Sequence, residues 1–402
     1  MFKKFIKYFS LVTFGIVLSV VTLELLVRLA GAKPQTYLRK FSRYHTILGW
    51  EKTPLTEGKF RKGDVIIHEK INSRGLRDSE YTYEKPSNTF RILVLGDSFT
   101  EGYDVEINDL FTEILESKLN TSSFDSSSIR YEVINAGTGG YSTDQEFLYF
   151  EIEGIKYKPD MVLLMVYPAN DIFYNHKSKY GNYNKPFFQI RNDSLILTNT
   201  PLQEPYRQES IKNLFREMAL YPIVTQIILT KYPRISQTLS HFGFISESTL
   251  AATAANLNSI SDSSASSFSV YKKYNNFFMN TAWQKTSRII YELNKKSKEI
   301  GTRLVMFYIP DRIEVYDSDW KKTKEKFSLE DHEWSPDVPS TMLKKISDTS
   351  NIPLLDFRQY ISKKELGDSV LYNGIHWNVS GNRFAAEFIY EALFHEKATV
   401  KQ

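Results

Sequence analysis

Four short stretches of the 402-residue chain hold the residue types that nucleophilic chemistry needs. Gly96-Asp97-Ser98 supplies a hydroxyl, and Tyr372-Asn373-Gly374-Ile375-His376-Trp377-Asn378 supplies an imidazole whose pKa suits a general base. Asn135-Ala136-Gly137-Thr138-Gly139-Gly140 and Ala169-Asn170-Asp171 supply the Gly140 N–H and the Asn170 side-chain amide. With the Ser98 N–H these make three candidate donors to a developing oxyanion. Each stretch also has a plainer reading, since Gly-Asp-Ser is ordinary turn chemistry that simply caps a strand. Their placement has to decide.

The elements around them give that placement. Ile92 to Gly96 is an apolar, β-branched run without alternation, the pattern of a buried parallel strand, and it breaks at Gly-Asp-Ser. A second strand through Tyr131 to Ile134 ends at the glycine-rich stretch, and a third, Met161 to Val166, ends just before Asn170. Helical stripes separate them: Leu110, Phe111, Ile114, Leu115 and Leu119 behind a cap at Asn108 or Asp109, then a helix from about Thr143 to Tyr157. Further strands are expected near Arg303 to Ile309 and Ile352 to Phe357, and a closing helix from Ser380 to about Phe394. Strand and helix alternating over short connections predict an α/β fold, a three-layer doubly wound parallel sheet with its chemistry at the carboxyl edge.

The remaining segments flank this unit. Residues 31–88 read as an irregular lead-in with short strands, Val65-Ile66-Ile67 among them. Between the third and fourth strands lie about 130 residues, far beyond a usual crossover. Residues 175–270 are therefore an insertion or lid, including a flexible Ser/Ala-rich tract at 246–268, and a long helix from about Asn275 to Ile300 leads back to the sheet. The Tyr and Phe residues of the insertion either line a substrate groove or pack its own core.

Lys3, Lys4 and Lys7 precede an apolar run from Phe9 to Leu29, interrupted by charge only at Glu24 and Arg28. Twenty-one helical residues span about 31 Å, the thickness of a bilayer's hydrocarbon core. Glu24 and Arg28 share a helix face and are placed to pair near the far interface. The run is long for a signal peptide, although Ala30-Gly31-Ala32 has the form of a cleavage site. Residues 1–30 are expected to be a short cytoplasmic tail and an uncleaved signal-anchor, giving a single-pass membrane protein with its bulk outside the cytoplasm, periplasmic or at the cell surface. Lys33, Arg39, Lys40 and Arg43 on the far side keep the positive-inside rule from choosing cleanly.

Composition removes several alternatives. The net charge of +4 is interspersed and shows no nucleic-acid footprint. With no cysteine there is no thiolate nucleophile, thiolate metal site or disulfide. His45, His68, His176, His241, His332 and His395 lack metal-ligand spacing, so neither metal nor cofactor is expected. Asp311 and Glu314 read as a helix cap, and Trp377 as a packing residue.

Taken together, the four blocks resemble the SGNH (GDSL-type) hydrolases, in order, over about 89–175 and 275–395. The resemblance implies a flavodoxin-like SGNH domain at 89–395, Ser98 as nucleophile, His376 as general base, and the Ser98 amide, Gly140 and Asn170 as oxyanion hole. It also implies an esterase or acyltransferase acting on acylated carbohydrate or lipid, and the amino-terminal helix looks like that of exported members that move O-acetyl groups on cell-envelope polysaccharide. One position departs. The family's aspartate three residues before the histidine is Asn373 here, which could orient His376 but brings no charge. In serine proteases the corresponding swap costs about 10⁴ in kcat. Three outcomes stay open: a Ser–His dyad, a substitute carboxylate such as Asp368, or a weakened protein that binds or assembles carbohydrate.

Overall fold

A computed structural model describes residues 2–32, 41–62, 65–102, 104–121, 129–181, 183–204, 214–215, 218–241, 244–245, 267–274, 277–364 and 370–395. Most of the Ser/Ala-rich tract, Lys33, Arg39, Lys40 and Asp368 lie outside these residues.

Five strands form the central sheet: β1 (Thr89–Gly96), β2 (Arg130–Gly137), β3 (Met161–Val166), β4 (Arg303–Tyr308) and β5 (Leu354–Asp356). They lie in the order β5-β4-β3-β1-β2, and every neighbouring pair is parallel. This is the doubly wound, flavodoxin-like order, with its switch point between β1 and β3. β3 is buried along its whole length, as its unbroken Met-Val-Leu-Leu-Met-Val run requires. One apolar layer sets Leu93, Leu95, Val162 and Leu164 against the long helix Phe277–Glu299; the other sets Ile92, Val94, Leu163 and Met165 against the helices Phe111–Thr121 and Val379–Tyr390. The chain thus has the three-layer α/β fold with a doubly wound parallel sheet that its strand and helix pattern predicts.

Boundaries differ at the margins. The helix expected over 143–157 stops at Ile152, where Glu153 leaves helical geometry, and a 3₁₀ turn, Gly154–Tyr157, finishes the connection. The lead-in is more ordered than its sequence suggests. It forms two antiparallel hairpins, Ser42–His45 with Gly49–Lys52 and Glu57–Lys62 with Val65–Lys70.

The amino-terminal helix α1 (Phe2–Leu29) stands clear of the sheet, its apolar side chains exposed, and is long and apolar enough to cross a membrane. A signal sequence would have the same character. Glu24 and Arg28 pair at 2.7 Å, as their spacing predicts.

Candidate functional site

The site forms at the carboxyl ends of β1, β2 and β3. β1 ends at Gly96, where an added Cβ would fall 2.0 Å from Thr100 Oγ1, so only a glycine lets Thr100 fold back against the strand end. Asp97 caps the four-residue helix α2 (Ser98–Glu101), its Oδ1 accepting from Phe99 N at 2.9 Å. Ser98 is therefore the first residue of a helix that starts at the sheet edge, and it is 9% exposed.

His376 arrives from 278 residues away. Tyr372–Asn373 and His376–Trp377 form a tight antiparallel pair, with Gly374 at φ +64° making the turn. Trp377 anchors this hairpin among Phe99, Phe111, Phe307 and Phe357, the packing role its sequence suggested. Asn378 then caps the last helix, accepting from Gly381 N at 3.0 Å. The imidazole, 7% exposed, comes to rest with Nε2 2.8 Å from Ser98 Oγ. A neutral ring protonated at Nδ1 accepts the serine proton in that geometry.

The two remaining blocks are tied to the same spot. Asn135 is structural: its Nδ2 donates to Thr100 O at 2.8 Å and its Oδ1 accepts from Gly137 N at 2.9 Å. Gly137 lets β2 touch α2, since a Cβ would lie 2.4 Å from Glu101 N. Buried Glu101 accepts from Gly139 N at 2.5 Å while pairing with Lys52, which fixes the loop carrying Gly140. Burial raises the Glu101 pKa, and the Lys52 ammonium opposes that rise. Among the described residues neither the Ser98 N–H nor the Gly140 N–H has a protein acceptor, as an oxyanion hole requires. Asn170 sits at the site with its amide donating to Asp97 Oδ2 at 3.2 Å and to Tyr141 O at 2.5 Å. Both of its hydrogens have acceptors here, so it positions the loops in this structure and must turn to donate to an oxyanion. Burial pushes Asp97, its partner, up to about 7.

Asn373 does not take the place expected of it. Its backbone pairs with His376 across the hairpin, and its side chain is exposed. The carboxylate at the imidazole is instead Asp104, with Oδ2 3.6 Å from His376 Nδ1 and its side chain 1% exposed. Sequence reading missed it; the available signal was an acid directly before Val105, at the end of a glycine-containing turn beside the nucleophile. Asp311 and Glu314 form the expected capping box.

The lead-in supplies the supports. Arg77, fully buried, donates to Glu101 O at 2.9 Å, Gly102 O at 2.8 Å and Val105 O at 2.8 Å, and pairs with Glu69 at 2.8 Å. Gly102, at φ +71° with Leu110 against its Cα, lets the loop turn under that guanidinium. Trp50 donates to Gly139 O at 3.0 Å, and its ring, with Tyr180, packs over Gly140.

No family model matches the chain, and no curated protein matches its sequence. Solved structures do. The chain is similar to the acetyl xylan esterase AlAXEase, with 14% identity and a TM-score of 0.41 over 76% of this chain and all of that one. It is similar to a lipase/acylhydrolase from Enterococcus faecalis, with 12% identity and a TM-score of 0.36 over 76% and 95%. A third is Axe2, an acetylxylan esterase from Geobacillus stearothermophilus, with 11% identity and a TM-score of 0.36 over 75% and 93%.

Proposed function

We propose that the protein is a membrane-anchored serine esterase or O-acyltransferase of SGNH type. The observation that carries this is the 2.8 Å contact of His376 Nε2 with Ser98 Oγ in a nearly buried strand-end site. Ser98 Oγ attacks the ester carbonyl carbon as its proton passes to Nε2. The tetrahedral oxyanion is held by the Ser98 and Gly140 N–H groups, with Asn170 joining as its amide turns. The C–O bond to the leaving alcohol breaks, Nε2 returns the proton to that alcohol, and the acyl group stays on Ser98. Water or an acceptor hydroxyl then attacks the acyl carbon in the same way and frees the serine.

The substrate is an acylated carbohydrate, an O-acetylated glycan of the cell envelope. Supporting this are the motif resemblance and the partly exposed rings of Trp50, Tyr180 and Tyr183, packed around one another beside Gly140, flat faces that suit a sugar. Helix α1 acts as an uncleaved anchor with the catalytic domain outside the cytoplasm; its exposed apolar surface and the lysines in its first two turns support that. The weakened-protein alternative rested on Asn373, and a buried carboxylate at His376 weighs against it.

A fluorophosphonate probe tests the reading. Labelling is expected that disappears in both Ser98→Ala and His376→Ala; persistent labelling of Ser98→Ala, or none of the unmodified protein, overturns it. p-Nitrophenyl acetate turnover with and without an added glycan then separates hydrolase from transferase, because only a transferase moves acetyl to the sugar.

A further inference from the structure

We propose that Asp104 is the positioning residue for His376, a triad acid carried on the nucleophile's own loop in place of the aspartate that Asn373 displaces. The inference rests on the serine-esterase reading above. Three observations converge on it. Asp104 Oδ2 lies 3.6 Å from Nδ1, on the side of the ring opposite Ser98, and its side chain is 1% exposed. The loop that holds it is clamped on both sides, by Arg77 at the carbonyls of Glu101, Gly102 and Val105 and by a bond from Val105 N to Gly102 O at 3.2 Å. Asp311, which also interacts electrostatically with His376, is committed elsewhere: it accepts from Tyr167 Oη at 2.5 Å and from Ile313 N at 3.2 Å. A buried charge facing Nδ1 holds the proton there, leaves Nε2 free to accept from Ser98, and stabilises the imidazolium that follows.

Asp104→Asn is expected to lower kcat for p-nitrophenyl acetate by about 10²–10⁴-fold with little change in KM. The acid limb of the kcat/KM profile should also move to lower pH, since the imidazolium loses its counter-charge. The hairpin sets residue 373 opposite His376, so Asp104→Asn combined with Asn373→Asp should recover at least tenfold of the loss. An Asp104→Asn protein with near-normal kcat and an unmoved pH profile overturns the proposal, whereas absence of Ser98-dependent turnover in the unmodified protein overturns the esterase reading itself. Should Asp104→Asn fail to fold, the unmodified protein still reports: a far-downfield Nδ1–H proton resonance that vanishes in His376→Ala supports the carboxylate contact, and its absence refutes it.

A separate observation points to the lipid surface. Glu24, inside the apolar helix α1, accepts from Ala219 N and Leu220 N, each at 2.9 Å, at the start of the helix Leu220–Lys231. Glu24 lies five residues before the end of α1, about 7.5 Å below it, which is interfacial depth. On the helix it tethers, Thr225 and Leu229 are buried, while Ile223, Val224 and Ile227 form an exposed stripe on the other face. We infer that Leu220–Lys231 lies in the headgroup–acyl boundary with this stripe in lipid, given that α1 spans the membrane. The chain has no cysteine, so single cysteines at Ile223, Ile227, Val17 and Lys344 can carry a polarity-sensitive fluorophore in the full-length protein. In phosphatidylcholine–phosphatidylglycerol vesicles with shallow spin-labelled lipid, quenching is expected at 223 and 227 but not at 344. Water-like emission at 223 and 227 with apolar, blue-shifted emission at Val17 overturns the inference, as does a blue shift at 223 and 227 without lipid quenching, which would mean protein covers the stripe. Water-like emission at Val17 removes the anchor reading and this inference with it.

Discussion

Replacing Gly140 with alanine tests whether its N–H belongs to the oxyanion hole. Gly140 sits at φ +80°, and an added Cβ would lie 3.1 Å from Tyr180 Cε1, 3.2 Å from its Cζ and 3.4 Å from Trp50 Cζ2. The left-handed backbone costs an L-residue about 1–2 kcal/mol. The two rings must also give by a few tenths of an ångström, which moves the peptide that points the N–H. Gly301→Ala is the control, because Gly301 shares the geometry at φ +74° but has open space around it and follows the helix Phe277–Glu299, away from the serine. Both variants should lose a similar few degrees in Tm. Only Gly140→Ala should lose turnover of p-nitrophenyl acetate, by up to about 10²–10³ in kcat if the donor is displaced completely. A Gly140→Ala protein with the expected Tm loss and kcat within about twofold of normal would show that this amide plays no part in stabilising the oxyanion.

Three other outcomes follow from the same geometry. Asn170→Ala should lower kcat/KM by at least about tenfold and also lower Tm, since it strips Asp97 and the Tyr141 carbonyl of a shared donor; a kinetic loss with unchanged Tm would contradict the positioning role. Arg77→Met leaves Glu69 short of a partner and frees three loop carbonyls, so about 3–5 kcal/mol of stability should disappear in denaturant titration, and a loss under about 1 kcal/mol would refute the clamp. Glu314, buried against Tyr271 and Tyr308, is pushed up to about 8 by desolvation. Its folded pKa lies above its unfolded one, so its contribution is fully present below about pH 4.5 and is lost as pH rises through about 8. The Tm advantage of the unmodified protein over Glu314→Gln should therefore shrink from pH 5 to pH 9, and a constant difference would refute the assignment.

The legible part of this protein is the part set by local pattern. Unbroken apolar runs marked β1 and β3, and the tight glycine-bearing stretches marked the sheet edge where Ser98 and the Gly140 loop meet. Each signal lies within a few residues of what it determines. The illegible part depends on chains that meet only after folding. Which carboxylate faces His376 is decided by a hairpin that leaves the Asn373 side chain exposed and by a loop beside the nucleophile that Arg77, from the lead-in, holds by its carbonyls. The lead-in showed too weak a periodicity to betray Lys52, Glu69 and Arg77 as a buried ion-pair network, because polar residues are buried there by partners distant in sequence. Asn170 likewise kept its place but not its free amide, since its acceptors on Asp97 and Tyr141 come from two other strand ends. The sequence by itself determined the sheet and its chemical edge, through strand patterns written locally, while Ser98 and His376 were singled out by motif resemblance and not by any local pattern. Only the tertiary structure decided that Asp104 stands at the imidazole, because that contact closes across 272 residues (104 to 376) and is selected by packing rather than by spacing.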